Sequence, residues 1–330
     1  MNCSCDNGSA LKDEAPGYPE DLATLLSRAW RVRQRIFPPE ITFAVPGGRK
    51  YDTSVFSNNR ENFLSVSITG KSCALLCDHC SGRMLAGMTP ATSPEELLAL
   101  AGRLRDKGAE GLLISGGCDR EGRVPIDSFL PAIADIKVMG LQVIVHTGLI
   151  SGTQAKKLKE AGVDQVLLDV IGDKYTIQKV YHLDKTPGDY YRCLEEILKV
   201  GLDVAPHIVI GLHYGQIRGE YAALREIARI GVQRLVLVAL RALPGTPMAG
   251  LQIVNYREIA CLVAEARLAC PRTYISFGCA RPFGKEKAFL EQSLIDAGVN
   301  AMAYPEESSI AYAKSKDLAY SFVEKCCSCV

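Results

Sequence analysis

No apolar run in this 330-residue chain approaches the roughly 20 residues that cross a bilayer as a helix, so a helical membrane protein is not expected. Neither sign of charge is in excess. Thirty-eight basic and 37 acidic side chains leave a net +1, which argues against a nucleic-acid surface over the whole protein and against an acidic tail. The segment MNCSCDNGSALKDEAPGYPEDL has no basic stretch leading into an apolar core, so a secretory signal is not expected, and the cytoplasm is the expected compartment. There is no short-period repeat and no low-complexity segment. Cysteine, in contrast, is abundant. There are 13, an odd number in clustered positions, and in a reducing compartment such clusters point to metal or redox chemistry rather than to disulfides. With 48% hydrophobic residues the chain can bury a large core, either as two ordinary domains or as one large α/β barrel.

Residues 1–60 read as an N-terminal extension. Within it, 20–37 reads as a helix ended by Pro38-Pro39 and carrying Arg28, Arg31, Arg33 and Arg35. These arginines are expected on a solvated face, with docking of an acidic partner as the lesser reading. From residue 64 onward, short β-branched runs alternate with longer amphipathic ones. The spacing predicts strands over 64–69, 111–115, 142–146, 165–170, 204–212, 234–240, 273–277 and 300–304. Helices are predicted over 94–107, 126–139, 153–161, 190–200, 221–230, 255–269, 285–297 and 307–316. Gly108, Gly140, Gly162, Gly201, Gly231 and Gly298 stand where helices would stop before a strand. The expected fold is α/β, a complete (β/α)8 barrel over 61–317, with a cysteine-rich tail over 318–330 folding across the barrel mouth. An open doubly wound sheet is the alternative.

In a parallel barrel the chemistry gathers at the C-terminal ends of the strands. The polar residues near those ends are Ser115-Gly116-Gly117-Cys118, His146, Asp169, His207, His213, Arg241 and Cys279-Ala280-Arg281. The stretch TGKSCALLCDHCSG follows the first of these strands and spaces Cys73, Cys77 and Cys80 as C-x3-C-x2-C. Three readings are open: reduced thiols in a loop, a zinc site completed by His79 or a distant residue, or an iron–sulfur cluster. No second C-x2-C matches it as a zinc knuckle. Three thiolates can hold three irons of a [4Fe–4S] cluster and leave the fourth open to a small molecule. For Asp169 a helix N-cap and a ligand contact are both open. His146, His207 and His213 each read first as hydrogen-bonded core histidines. Cys193, Cys261 and Cys270 fall in predicted helices and read as core. Cys3 and Cys5 read as exposed thiols near a chain end.

C-x3-C-x2-C directly after the first strand of a β/α barrel resembles the signature of the radical S-adenosylmethionine (SAM) superfamily. The resemblance implies that Cys73, Cys77 and Cys80 hold the cluster and that SAM chelates its open iron and is cleaved to a 5′-deoxyadenosyl radical. His79, Ser115, Gly116, Gly117, Asp169, Ile210 and Gly211 then become candidate SAM contacts. LLISGGCD carries Cys118 where the superfamily often has an acid facing the methionine amino group. Of HIVIGLHYG, only Ile210-Gly211 matches the segment that packs on adenine.

Across residues 65–327 the chain resembles more closely the biotin-synthase-like radical SAM proteins of archaea and some anaerobic bacteria. SITGKSCALLCDHCSGRML, ISGGCDREGRVP, VHTGLI, DVIGD, PHIVIGLHYG, PGTPM, GCARPFGK, IDAGVN and CCS carry the resemblance. It implies one enzyme of a two-protein lipoyl synthase, inserting sulfur into a protein-bound octanoyl chain. It also implies a second [4Fe–4S] cluster, for which Cys118, Cys279, Cys326 and Cys327 are the candidate ligands, with Cys329, Cys3 and Cys5 unassigned. The expected partners are an octanoylated lipoyl-carrier domain or H-protein-like substrate, a second radical SAM protein, and a ferredoxin or flavodoxin as electron donor. A biotin-synthase-like or other radical SAM reaction on a small molecule is the alternative, and a non-catalytic metal-binding scaffold is the alternative from another class.

Overall fold

The six glycines expected to stop helices all take left-handed φ angles, between 69° and 86°, a region that costs a residue without Cβ nothing. Each is followed by a strand, and the alternation builds one parallel sheet. The computed structural model describes residues 21–281 and 286–330. Its strands are β1 (Glu40–Ala44), β2 (Phe63–Ser67), β3 (Thr89–Pro90), β4 (Gly111–Ser115), β5 (Gln142–His146), β6 (Gln165–Asp169), β7 (Val204–Ile210), β8 (Arg234–Ala239), β9 (Tyr274–Phe277), β10 (Ala301–Ala303) and β11 (Ala319–Val323). All eight strands expected from the sequence are present, each to within two residues at either end.

The sheet order is β11-β1-β10-β9-β8-β7-β6-β5-β4-β2-β3, every pairing parallel. Among the described residues β11 and β3 do not pair, so the architecture is a curled 11-stranded half-barrel and not a closed eight-stranded one. The sheet also crosses the expected domain boundaries. β1 comes from the supposed N-terminal extension and pairs with β10 and β11, and β11 comes from the supposed tail. These strands escape the sequence reading because EITFA and AYSFV lack the helix-to-strand rhythm that marked the others.

Side chains alternate across each strand, so the sheet divides the core in two. Val143, Val145, Val166, Leu168, Leu235 and Leu237 face the helices in the main cluster. Ile144, Leu167, Ala205 and Val236 face the inner side, where Cys327 packs with them and Cys326, Cys329 and Val330 border them. The helix Leu22–Ile36 docks on the outside. Arg28, Arg31 and Arg35 are exposed as expected, but Arg33 is buried and donates to the carbonyls of Pro38 and Glu40, fixing the helix to the start of β1.

Candidate active site

The alternation that puts Ile144 and Leu167 on the inner face also puts His146 and Asp169 there, at the C-terminal ends of β5 and β6. Ser115 and His207 follow the same parity on β4 and β7. The loop holding Cys73, Cys77 and Cys80 leaves β2 at this rim. It turns through left-handed Leu76 and Ser81, φ 45° and 46°, with Gly82 at 72°. Such backbone states in non-glycine residues persist where surrounding structure holds them, and they gather at functional sites. Here the support is visible. The Gly117 N–H donates to Thr69 Oγ1 at 2.7 Å, and the Ala74 N–H donates to the Cys118 carbonyl at 2.8 Å. A Cβ on Gly117 would lie 2.0 Å from the Ser72 carbonyl oxygen, so only glycine permits this approach. Asp78, inside the motif, accepts from Tyr214 Oη and pairs with His182 Nε2 at 3.0 Å, tying the loop to the segments after β7 and β6.

Within the loop, a hydrogen bond from the Cys77 thiol lowers Cys80 to about 4 despite burial, with His79 adding to the effect. The same bond, with burial, pushes Cys77 up. A thiol that accepts a hydrogen bond from its neighbour is shifted toward the thiolate, the form that ligates iron. His79 Nδ1 is buried without a hydrogen-bond partner among the described residues, and its ring lies 5.2 Å from that of Tyr181. Among the described residues no three His, Cys, Asp or Glu side chains converge as a single-ion site requires. A cluster asks for thiolates spread over separate irons. The donor set, the unpartnered His79 nitrogen and the glycine-lined approach fit such a group.

Asp169 is the hub of the inner face. His146 Nε2 stands 3.5 Å from Oδ1, and Tyr181 Oη donates to Oδ2 at 3.3 Å. Burial works against its charge, yet His146, His207 and His79 bring Asp169 down to about 2. Burial alone would lower His146, but Asp169 outweighs it and raises the imidazole. Burial, aided by His146, lowers His207 to about 4, and its Nδ1 bonds the Ala205 carbonyl at 2.9 Å. The N-cap reading of Asp169 does not hold. Asp173 caps Lys174–Val180, accepting from the Thr176 N–H. Ser115 Oγ contacts the His146 carbonyl at 3.4 Å, and a Cβ on Gly116 would lie 3.0 Å from Thr69 Oγ1. Ile210 is buried. Gly211, at φ 78°, gives its N–H to Glu220 Oε1 at 2.7 Å, and a small cleft beside it is lined by Asp169, His207, Leu212, Arg218 and Glu220. His213 is a hydrogen-bonded histidine, its Nδ1 3.0 Å from Thr176 Oγ1.

The residues after β11 do not fold across the mouth. They enter the inner face from the opposite end. Lys325 pairs with Glu110 at 2.8 Å, Gln165 Nε2 donates to the Ser328 carbonyl at 3.1 Å, and Arg234 donates to the Val330 carbonyl. Glu110, Gln165 and Arg234 all mark the N-terminal ends of strands. The tip is a turn closed by the Cys329 N–H on the Cys326 carbonyl at 2.9 Å. Its thiols point inward. Cys326 is lowered to about 6 by a hydrogen bond from Cys327, with His146 contributing, while that bond pushes Cys327 up. Cys279 and the buried Arg281 act electrostatically on Cys327 from the end of β9. Arg281 is held by Glu291 at 3.2 Å and by the Tyr304 carbonyl at 2.9 Å.

The structure thus divides the expected second-cluster ligands. Cys279, Cys326 and Cys327 lie together, whereas Cys118 lies beside the triad, its thiol pushed up to about 12 by burial and then by Cys73 and Asp169. Cys193, Cys261 and Cys270 are buried core residues. Cys3 and Cys5 lie outside the described residues, as do Pro282–Lys285 of GCARPFGK. Thr69, Tyr181 and Glu220 escaped the sequence reading. Asp78 carried a signal, its place between two cysteines of the motif, and Tyr181 carried none.

Residues 67–263, more than half of the chain, match the Radical SAM superfamily. The chain belongs to the radical SAM superfamily. Its membership implies a [4Fe–4S] cluster and SAM as cofactors, and the protein is a radical SAM enzyme. Among curated proteins this radical SAM chain is similar to the biotin synthase of Dechloromonas aromatica (strain RCB). The two are 27% identical over 296 residues, covering 87% of this chain and 83% of the relative. The biotin synthase of Xanthomonas oryzae pv. oryzae (strain PXO99A) is 27% identical over 258 residues, 74% of this chain and 71% of the relative. Among solved structures, methylornithine synthase superposes with a TM-score of 0.62 at 15% identity, covering 91% of this chain and 89% of that one. The maturase HydG superposes at 0.63 and 17% identity, covering 92% and 70%. Both structures speak to the fold alone. Among the described residues no helix is long and apolar enough to cross a membrane.

Proposed function

We propose that this radical SAM enzyme inserts sulfur at an unactivated C–H carbon. The observation that carries the reading is the presence of two thiol groups on one inner face: Cys73, Cys77 and Cys80 at the C-terminal rim, and Cys326 and Cys327 within the half-barrel, near Cys279, which is exposed at the end of β9. The layer of His146, Asp169 and His207 stands between them. Cys73, Cys77 and Cys80 would hold a [4Fe–4S] cluster, which with SAM would supply a 5′-deoxyadenosyl radical for hydrogen abstraction. The chain's own residues do the rest. Cys80 accepts a hydrogen bond from the Cys77 thiol, Gly117 lets the cysteine loop pack close to the end of β4, and Asp169 fixes the orientation of His146 and Tyr181. The inner-face apolar residues exclude water. A second cluster on Cys279, Cys326 and Cys327 would place sulfur within reach of a carbon radical formed at the mouth, where proximity does most of the work.

For the substrate we propose a protein-bound octanoyl chain, supported by the motif stretches that resemble lipoyl-synthase components. With it come an octanoylated carrier domain or H-protein-like substrate, a second radical SAM protein of the pair, and a ferredoxin or flavodoxin as donor. The named biotin synthases favour a second reading, thiolation of a free biotin precursor. Anaerobically reconstituted enzyme, offered each substrate with SAM and a strong reductant, separates the two by mass spectrometry of the sulfur-bearing product. 5′-Deoxyadenosine without sulfur in either substrate overturns sulfur insertion. Two [4Fe–4S] clusters give about eight irons per chain. A content near four, unchanged by Cys279→Ala and Cys326→Ala, removes the second cluster.

A further inference from the structure

Four thiols, not three, border the mouth at the end of β2. Cys73, Cys80 and Cys118 all pack at the edge of the same core, and Cys77 is buried within it. Cys118 is held there by backbone. Its carbonyl takes the Ala74 N–H at 2.8 Å, and the preceding Gly117 is pressed so close to Cys73 that an added Cβ would meet the Cys73 Cα at 2.6 Å. The Cys118 side chain is half-buried and acts electrostatically on Cys77, while Cys73 and Cys80 act on it. By contrast, the thiols with which it was expected to share a second cluster lie with one another, around Cys327.

We propose that the Cys118 thiol is a fourth cluster ligand in the SAM-free enzyme, holding the iron that Cys73, Cys77 and Cys80 leave open until SAM displaces it. Cys118 is then a cap on the open iron and not a ligand of the second cluster. Binding breaks the S–H bond and forms an Fe–S bond, with the proton going to solvent. Displacement by the amino and carboxylate groups of SAM reverses both changes. No electron moves, so no further reactant is required. The cap restrains the labile iron while SAM is absent, at the cost of weaker apparent SAM binding. This inference rests on superfamily membership and not on the sulfur-insertion reading, and it survives if that reading fails.

The test uses the full chain, reconstituted anaerobically without SAM, as wild type, Cys118→Ala and Cys118→Ser. An iron without a thiolate is the first lost on mild oxidation, leaving a three-iron cluster with its own electron paramagnetic resonance signal. Cys118→Ala should show about tenfold more of that signal than wild type, the usual scale for losing one support of a metal site. Adding SAM should bring the two proteins together. In titration with SAM, Cys118→Ala should bind about tenfold more tightly, as expected when a competing ligand occupies the site nine times in ten. Cys118→Ser, which keeps the size of the side chain, should melt as wild type does and share the alanine variant's oxidation response. Equal three-iron signals in wild type and Cys118→Ala without SAM would overturn the proposal. So would loss of a whole cluster's iron in Cys118→Ala, which would assign Cys118 to a second cluster.

Discussion

The loop from Cys73 to Cys80 and the turn from Cys326 to Cys329 solve the same chemical problem in different ways. In each, one cysteine donates a hydrogen bond to another and lowers it, Cys77 bringing Cys80 to about 4 and Cys327 bringing Cys326 to about 6, while the donor is pushed up. The loop is a local device. Its thiols lie within eight residues and its turns are set by its own left-handed positions, while Gly117, Tyr214 and His182 brace it from other segments. The turn is a tertiary device. It depends on β11 reaching the edge of the sheet, on Glu110, Gln165 and Arg234 at three strand starts, and on Cys279 and Arg281 from the end of β9. A thiol group written into one segment is readable from spacing. One brought together by contacts between distant segments is not.

The largest effect expected at either region is loss of the loop's chemistry. Cys77→Ala should abolish SAM cleavage, a fall of at least about 10³-fold in 5′-deoxyadenosine formed per enzyme, on the scale of removing an essential catalytic group. Cys327→Ala should instead spare 5′-deoxyadenosine and remove the sulfur-bearing product. If it stops SAM cleavage as completely as Cys77→Ala does, the two regions are one functional unit and the comparison fails. Gly117→Ala forces a Cβ to within 2.0 Å of the Ser72 carbonyl oxygen, so the loop must move. Retained cluster iron should fall by about 10- to 100-fold, while the turn around Cys327 keeps its own thiol chemistry.

The smallest effect concerns the loop side of the mouth and depends on pH. Burial carries Glu220 up to about 7, against its hydrogen bonds from Gly211 and Arg218. Between the ordinary carboxylate value and about 7 the folded chain holds a proton that the unfolded chain has released. This contribution is therefore fully present below the unfolded value and is lost as pH rises toward 7. The advantage of wild type over Glu220→Gln in denaturant unfolding should shrink between about pH 4.5 and pH 7, by at most roughly 3 kcal/mol. An advantage that grows over that interval reverses the sign and places the carboxylate among partners other than those seen.

Much of the fold was legible because its code is local. Helix-stop glycines and β-branched runs gave eight strands almost to the residue, and parity along β5 and β6 placed His146 and Asp169 on one face. β1 and β11 were missed because their partners lie at opposite ends of the chain, and a five-residue strand carries no signal of what it will pair with. Arg33 was read with its exposed neighbours, because nothing in the run of arginines says which one faces the carbonyls of Pro38 and Glu40.

By itself the sequence determined the spacing of the triad. C-x3-C-x2-C after a strand sets thiol number and spacing within one turn-rich segment, where short loops leave few conformations. Only the tertiary structure decided which other thiols join which group. Cys118 went to the triad because the β4 turn must pack on the β2 turn through two glycines. Cys326 and Cys327 went to the inner face because the chain after β11 enters from the strand starts. Contacts between distant segments depend on the whole sheet's order, and no single stretch encodes that order.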